Sequence, residues 1–364
     1  MNPKAIISLN NLSSNLEYLK SKLEYIDNLM PVIKANAYGH GAIKVGQYLS
    51  QLDIKSLCVA TEYEVRELLD SKIKKPILFL GKINKNNINL FINNNVRCTI
   101  NDIKDIDILD EILGENQHVI CHLKIDTGLN RMGCEFNLYK EVINKLLKCN
   151  SIKLESIYSH LACSDNSEDS LNDLQINKFF EVISYIKQNN ENHIVSFHLL
   201  NSSGVYNYGK YSQDYCRVGL SMYGVSPLGS PDIKLKPVMK FIAPIILIKE
   251  VKKGESIGYG ATYIASNNIT VAIVRCGYAD GIPVSFSNKG EVEYNGKFYP
   301  ILGRVSMDLI CIEVDEDMKQ FDYVTIWGGE YDRMKLETIS AKFKILPYVL
   351  MTGISNRVER VYEN

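Results

Sequence analysis

The sequence predicts an N-terminal (β/α)8 barrel of the TIM type followed by a mainly β domain. Three observations carry this. Up to about residue 220, short β-rich runs alternate with amphipathic stretches of helical period. Eight such runs can be counted, the number a closed parallel barrel needs. After a Pro- and Gly-rich connection, "SPLGSPDIKLKP" (226–237), the β runs lengthen and hairpin-style turns separate them. The expected division is therefore 1–234 and 235–364.

The strands expected in the first part are "LMPVIK" (29–34), "SLCVAT" (56–61), "PILFLG" (76–81), "VRCTI" (96–100), "VICHLKID" (119–126), "ESIYSH" (155–160), "VSFHLLN" (195–201) and "YCRVGL" (215–220). Helical patterns flank or separate them, as in "NLEYLKSKLEYI" (15–26), "TEYEVRELLDS" (61–71) and "LYKEVINKLLK" (138–148). No G-x-G-x-x-G follows the first strand, which counts against an open doubly wound sheet. The Asn-rich run "NKNNINLFINNN" (84–95) has Ile88, Phe91, Ile92 and Asn95 at helical spacing and reads as a surface helix without function. In the second part the strands expected are 240–251, 269–279, 297–307, 309–314 and 323–328, with a small helix near "LETISAKF".

Composition narrows the function. Of 364 residues, 46% are hydrophobic and 23% charged, ordinary values for a globular chain. A formal net charge of −1 gives no reason to expect a nucleic-acid partner. No signal peptide is visible, and no apolar run approaches the roughly 20 residues of a membrane span. The nine cysteines are scattered, with no C-x-x-C pair, so reduced thiols in the cytoplasm are expected and a metal site is not.

Chemistry in a (β/α)8 barrel sits at the C-terminal ends of the strands. There this sequence repeatedly places residues that carry chemistry. Lys34 and Tyr38 end strand one. Lys124, Asp126 and Arg131 lie in "HLKIDTGLNRMG", and His160 ends strand six. Asn201 and Ser202 end strand seven; Arg217, Gly219 and Leu220 end strand eight. Alone, each is ordinary, since long basic side chains often run from a buried stem to water. Together they suit an aldehyde cofactor. Lysine bonds covalently to such a group, and pyridoxal phosphate is the usual one. Tyr38, Ser202 and the amides of Gly219 and Leu220 are phosphate donors. Arg217 is the candidate partner of the pyridine nitrogen. A guanidinium only donates, so that nitrogen would stay unprotonated and the ring would be a restrained electron sink.

Read in order, "VIKANAYGHG", "KIDTGLNRMG", "SHLACSD", "NSSG", "RVGLSMYG", "GYGATY", "GYADG" and "GRVSMD" resemble the bacterial alanine racemase family over nearly the whole chain. The resemblance implies a pyridoxal-phosphate homodimer that interconverts L- and D-alanine with two bases, supplying D-alanine for peptidoglycan. Lys34 would act on one face. Tyr259 of "GYGATY" would act on the other, contributed by the partner subunit. The resemblance further implies that Arg131 orients the substrate carboxylate, that Lys124 is carbamylated to brace Arg131, and that His160 and Asn201 contact the cofactor network. Tyr278, Met307 and Asp308 would line the entrance.

One departure bears on substrate. The family usually has a tyrosine where this chain has Asn356, in "ISNRVER" (354–360). Asparagine removes a phosphate donor, opens space, and offers both a donor and an acceptor. Serine, or a broader set of amino acids, is therefore an alternative substrate. A non-catalytic pyridoxal-phosphate homeostasis protein is the alternative from another class. It would be a single barrel, and the second domain carrying Tyr259 speaks against it. Related decarboxylases place an acid where Arg217 stands.

Overall fold

A computed structural model describes residues 1–24, 28–92, 94–189, 194–315 and 317–364. The chain forms two compact units. One comprises 16–37 and 42–222; the other comprises 1–15, 38–41 and 223–364.

The first unit is a ring of eight parallel strands. In order they are Leu29–Pro31, Leu57–Val59, Ile77–Phe79, Val96–Ile100, Val119–Asp126, Ile152–Tyr158, Ser196–His198 and Cys216–Val218. The second to seventh pair successively in one parallel sheet. The eighth pairs in parallel with the first. A bridge between Val32 and Cys58, and a bond from the Arg217 amide to the Leu200 carbonyl at 2.9 Å, complete the circle.

Several strands have only three residues, every one buried, which is why they read as short apolar runs rather than alternating ones. Between them, helix Tyr139–Lys148 buries Tyr139, Val142, Ile143 and Leu146, a stripe at i, i+3, i+4 and i+7. Each such side chain contributes about 1.5–3 kcal/mol when removed from water. Helix Glu62–Asp70 starts with a capping box: Thr61 accepts from the Glu64 amide while the Glu64 carboxylate reaches back to the Thr61 amide.

Two expectations for this half need correction. The first helix runs from Leu9 to Lys20 rather than over 15–26, and residues 25–26 of that stretch lie outside the described residues. The Asn-rich run is not a surface helix. It contains a short 3-10 turn, Ile88–Leu90, with Ile88, Leu90 and Phe91 buried; Asn93 lies outside the described residues. The low helix propensity of Asn, which competes for the backbone with its own amide, limits that segment to one turn.

The second unit is mainly β. Its large sheet runs, in spatial order, Ile269–Val274, Ile310–Glu313, Lys297–Leu302, Glu291–Tyr294, Tyr323–Trp327, Met239–Val251, Lys4–Ser8 and Glu359–Glu363. Met239–Val251 is long enough to pair again with Ile269–Val274, which curls the sheet back on itself. The strand expected over 297–307 stops at Leu302, because Gly303 turns the chain at a φ of +73°. Lys4–Ser8, which the sequence reading did not identify, lies between Met239–Val251 (antiparallel) and Glu359–Glu363 (parallel). Helix Leu336–Phe343 lies where "LETISAKF" placed it.

Candidate functional site

Lys34 stands three residues beyond the first barrel strand, and the backbone after it is unusual. Ala35, Asn36, Ala37 and Tyr38 all have φ between +51° and +54°. Each non-glycine residue in this left-handed region costs about 1–2 kcal/mol. Specific bonds hold the turn. Glu64 accepts from the Ala35 amide at 2.6 Å and from the amides of Ala60 and Thr61 at 2.8 and 2.9 Å; Asn36 accepts from the Ala42 amide at 2.8 Å. Glu64 is thereby committed to backbone donors, and Lys34 makes no ion pair among the described residues. Burial lowers the affinity of the Lys34 amine for its proton, and the Arg131 guanidinium lowers it further.

The cations predicted at the barrel mouth do gather. Lys124 is buried near the end of the fifth strand, its Nζ 5.9 Å from the Tyr158 ring centroid. Burial, with Arg217 and Arg131 nearby, lowers its pKa to about 8. Asp126 accepts from the amides of Gly128 and Asn130, closing the turn that carries Arg131, which is exposed. His160 is driven well below the usual imidazole range by burial and by Arg217, Arg131, Lys124 and Lys34, so it is neutral at pH 7. Four cationic side chains thus act on one neighbourhood, an arrangement that calls for anions.

Arg217 is only 3% exposed. Its Nη1 donates to the carbonyl of His198 at 3.0 Å and to Nδ1 of the same residue. Its Nη2 donates to the Ser159 carbonyl at 2.6 Å and also contacts the Leu199 carbonyl and His160 Nδ1. No partner is recorded for its Nε–H among the described residues. Asn201 caps helix Ser202–Tyr208 through the Gly204 amide and accepts from Ser164 Oγ. Its amide nitrogen lies 3.4 Å from His160 Nε2. Ser202 Oγ accepts from the Gly219 amide at 3.0 Å, and Leu220 is buried beside that amide in sequence.

The remaining expected residues belong to the other unit. Tyr38 is buried there, with its ring centroid 4.9 Å from that of Tyr223 and 5.7 Å from that of Tyr348. Tyr259 begins a one-turn 3-10 segment between the short strands Ser256–Ile257 and Tyr263–Ile264. Gly258 and Gly260 adopt φ of +75° and +73°, and the loop holds Tyr259 out at 73% exposure. The structure brings Tyr278, Met307 and Asp308 together: the Tyr278 amide bonds the Ser306 carbonyl and the Ala279 amide bonds the Met307 carbonyl, both at 3.0 Å. Arg357, next to the exposed Asn356, ties the same two loops by reaching Asp308 at 2.6 Å and the buried Asp280 at 3.3 Å. The sequence reading missed Arg357. It also missed His122, His198 and Glu155. The one available signal was His122 two residues before Lys124 on a strand, hence on the same face.

Pyridoxal phosphate can be tested against these residues. The Nε–H of the buried Arg217, without a partner among the described residues, suits a pyridine nitrogen, which accepts. The Lys34 amine, its proton affinity lowered by burial, suits an aldehyde. The cation cluster suits a dianionic phosphate and a substrate carboxylate. The residues present fit the group.

Comparison with known proteins agrees. Residues 7–227 match the model of the alanine racemase N-terminal domain, and residues 238–362 match that of the C-terminal domain. "Alanine racemase 2" of Caldanaerobacter subterraneus subsp. tengcongensis is 34% identical over 98% of this chain and 93% of its own. The alanine racemase of a Nostoc species is 32% identical, over 98% of this chain and 94% of its own. Among solved structures, alanine racemase from Clostridium difficile 630 superposes with a TM-score of 0.90 at 31% identity, covering 100% of this chain and 96% of the other. The enzyme from Bartonella henselae, solved with covalently bound pyridoxal phosphate, gives 0.88 at 26% identity, with both chains covered completely. The chain belongs to the alanine racemase family.

Proposed function

We propose that this chain is a pyridoxal-phosphate-dependent isomerase that interconverts L- and D-alanine, and that its D-alanine supplies peptidoglycan. The observation that supports this most is the pairing of a Lys34 amine whose proton affinity burial lowers with an Arg217 whose Nε–H has no partner among the described residues, both within one barrel. Bound pyridoxal phosphate supplies the sink that makes the α-proton of an amino acid removable. The protein's own groups do the rest. Lys34 Nζ holds the cofactor and exchanges a proton on one face. Arg217 donates to the ring nitrogen and, having no acceptor atom, leaves it unprotonated. Arg131 orients the substrate carboxylate, and a carbamate on Lys124 braces Arg131. Ser202 and the Leu220 amide serve the phosphate, with Ser202 Oγ held by the Gly219 amide, while His160 and Asn201 position the surrounding groups.

Tyr259 Oη serves the opposite face, in the site of a second copy. Its exposure within its own chain supports this, as does the neighbouring exposure of Ile264, Tyr278 and Met307 in the same unit. Tyr278, Met307 and Asp308 line the entrance of the partner's site. The test is complementation. Lys34→Ala and Tyr259→Ala are each inactive alone. Mixed in equal amounts and allowed to exchange subunits, half the dimers are mixed, each with one intact site, so activity returns to about a quarter of wild type. No recovery despite demonstrated subunit exchange refutes the shared site.

Serine is the second substrate this chain is suited to, because the exposed Asn356 offers a donor and an acceptor where a bulky phenol would close space. Removing a steric wall relaxes selectivity by about 1–3 kcal/mol. Asn356→Tyr should therefore raise the ratio of kcat/KM for L-Ala over L-Ser by tenfold or more, at about 1.4 kcal/mol per factor of ten. An unchanged ratio removes the serine reading.

A further inference from the structure

A line of polar side chains, buried except for the half-buried Glu155, crosses the barrel interior beneath Arg217. His198 Nε2 lies 3.0 Å from His122 Nδ1, and His122 Nε2 lies 3.0 Å from Glu155 Oε2. Glu155 is clasped by Arg97, Nε to Oε2 at 3.0 Å and Nη2 to Oε1 at 3.2 Å. Both histidines are fully buried. The chemistry of the two ends sets the direction of every bond between them. Arg217 has no acceptor, so His198 Nδ1 must present a lone pair to it and carry its proton on Nε2. That N–H donates to His122 Nδ1, which must also be a lone pair. The proton of His122 is then on Nε2 and donates to the Glu155 carboxylate.

We propose that Glu155, through His122 and His198, is a positioning residue for the reaction: the chain of bonds fixes one tautomer of each imidazole and so holds the Arg217 guanidinium with its Nε–H free for the cofactor ring. Without the anchor at Glu155, the buried His122 Nε2–H loses its acceptor, and only the bond from His198 still favours that tautomer. If that proton moves to Nδ1, it faces the proton of His198 and the line breaks. Arg217 then competes for a different set of acceptors.

The electrostatics are consistent with this assignment. Burial acts to raise the Glu155 carboxyl, but bonds from His122 and Arg97 outweigh it and hold the group well below the usual carboxylate range. Burial depresses both imidazoles, opposed by Glu155 at His122 and reinforced there by Arg97 and Lys55; at His198 it is reinforced by Arg217 and His122. The His122–Glu155 contact is thus a neutral imidazole donating to an anion, not an ion pair. Tyr158, stacked on His198 with centroids 4.7 Å apart and its phenol pushed up by burial, and Tyr215 complete the surroundings.

The test is read first without substrate, so it is distinct from the racemase reading on which only its kinetic arm rests. In the cofactor-loaded protein labelled with 15N-histidine, both His122 and His198 should appear as the neutral Nε2–H tautomer at pH 7. A proton on Nδ1 of either at that pH overturns the proposal from the wild type alone. Glu155→Gln retains a carbonyl acceptor and should keep the pattern. Glu155→Leu should mix the tautomers and lower kcat for alanine about tenfold with KM within about twofold, as loss of an outer-shell orienting partner does. Glutamine should restore kcat to within about threefold. A folded Glu155→Leu protein with wild-type tautomers and wild-type kcat overturns the proposal as well.

Discussion

Lys124 offers a sharp test of the barrel-mouth electrostatics. Its pKa falls from 10.5 to about 8, chiefly through burial and then through Arg217 and Arg131. At pH 7 about one molecule in ten then holds a neutral Lys124 amine, against about one in three thousand for an ordinary lysine. Only the neutral amine attacks carbon dioxide, so Lys124 should be carbamylated on the order of 300 times more readily than a surface lysine at that pH. The carbamate also replaces a positive charge with a negative one amid Lys34, Arg131 and Arg217, which favours the product. In the unmodified protein, protonated Lys124 is a liability of about 3 kcal/mol at ~1.4 kcal/mol per pH unit. Its sign follows from proton binding. Between about pH 8 and 10.5 the unfolded chain holds this proton and the native chain does not, so Lys124 adds to stability as pH rises through that window. Below about 8 its penalty is fully felt. The assay is 13C NMR in labelled bicarbonate at fixed dissolved carbon dioxide. Carbamate formation releases a proton, so the resonance should grow with pH, be present by pH 8.5 and vanish in Lys124→Met. No signal at pH 8.5 refutes the reasoning.

Other outcomes follow from the same geometry. Glu64→Gln exchanges one of two accepting oxygens for a donor, leaving at least one of the Ala35, Ala60 and Thr61 amides without its partner; the loss should be about 1–3 kcal/mol, read as a lowered urea midpoint. A shift under about 0.5 kcal/mol would show that the turn does not depend on Glu64. Gly39→Ala would place Cβ 2.1 Å from the Met351 carbonyl oxygen at a φ of +83°, so its melting temperature should drop by several degrees; an unchanged value would contradict that close approach. Arg217→Glu puts an acceptor where only donors stood, strengthens the electron sink, and should lower racemisation while raising the rate of transamination. If neither rate moves, Arg217 does not face the ring.

Much of the barrel was legible because its strands are short, wholly apolar and separated by well-formed helical stripes such as that of Tyr139–Lys148. The positions of Lys34, Lys124, His160 and Arg217 followed from one rule about where strands end. What stayed hidden depends on contacts distant in sequence. Lys4–Ser8 has five residues and finds its partners more than 230 positions away, so nothing local marks it as a strand. The histidine line joins three strands and a fourth through Arg97, and no spacing along one segment could disclose it. Arg357 was hidden for the same reason: the two loops it joins lie 49 and 77 residues before it.

The backbone that follows Lys34 has a stereochemical consequence of its own. Four successive L-residues sit in the mirror image of the ordinary helical conformation, where a D-residue would rest without strain. Chemical ligation of D-alanine at position 35 or 37 should therefore relieve about 1–2 kcal/mol rather than break the fold, the reverse of its effect in a right-handed helix. In a protein proposed to make D-alanine, the segment beside the reactive amine is one that D-alanine would fit better than the residue the ribosome can insert.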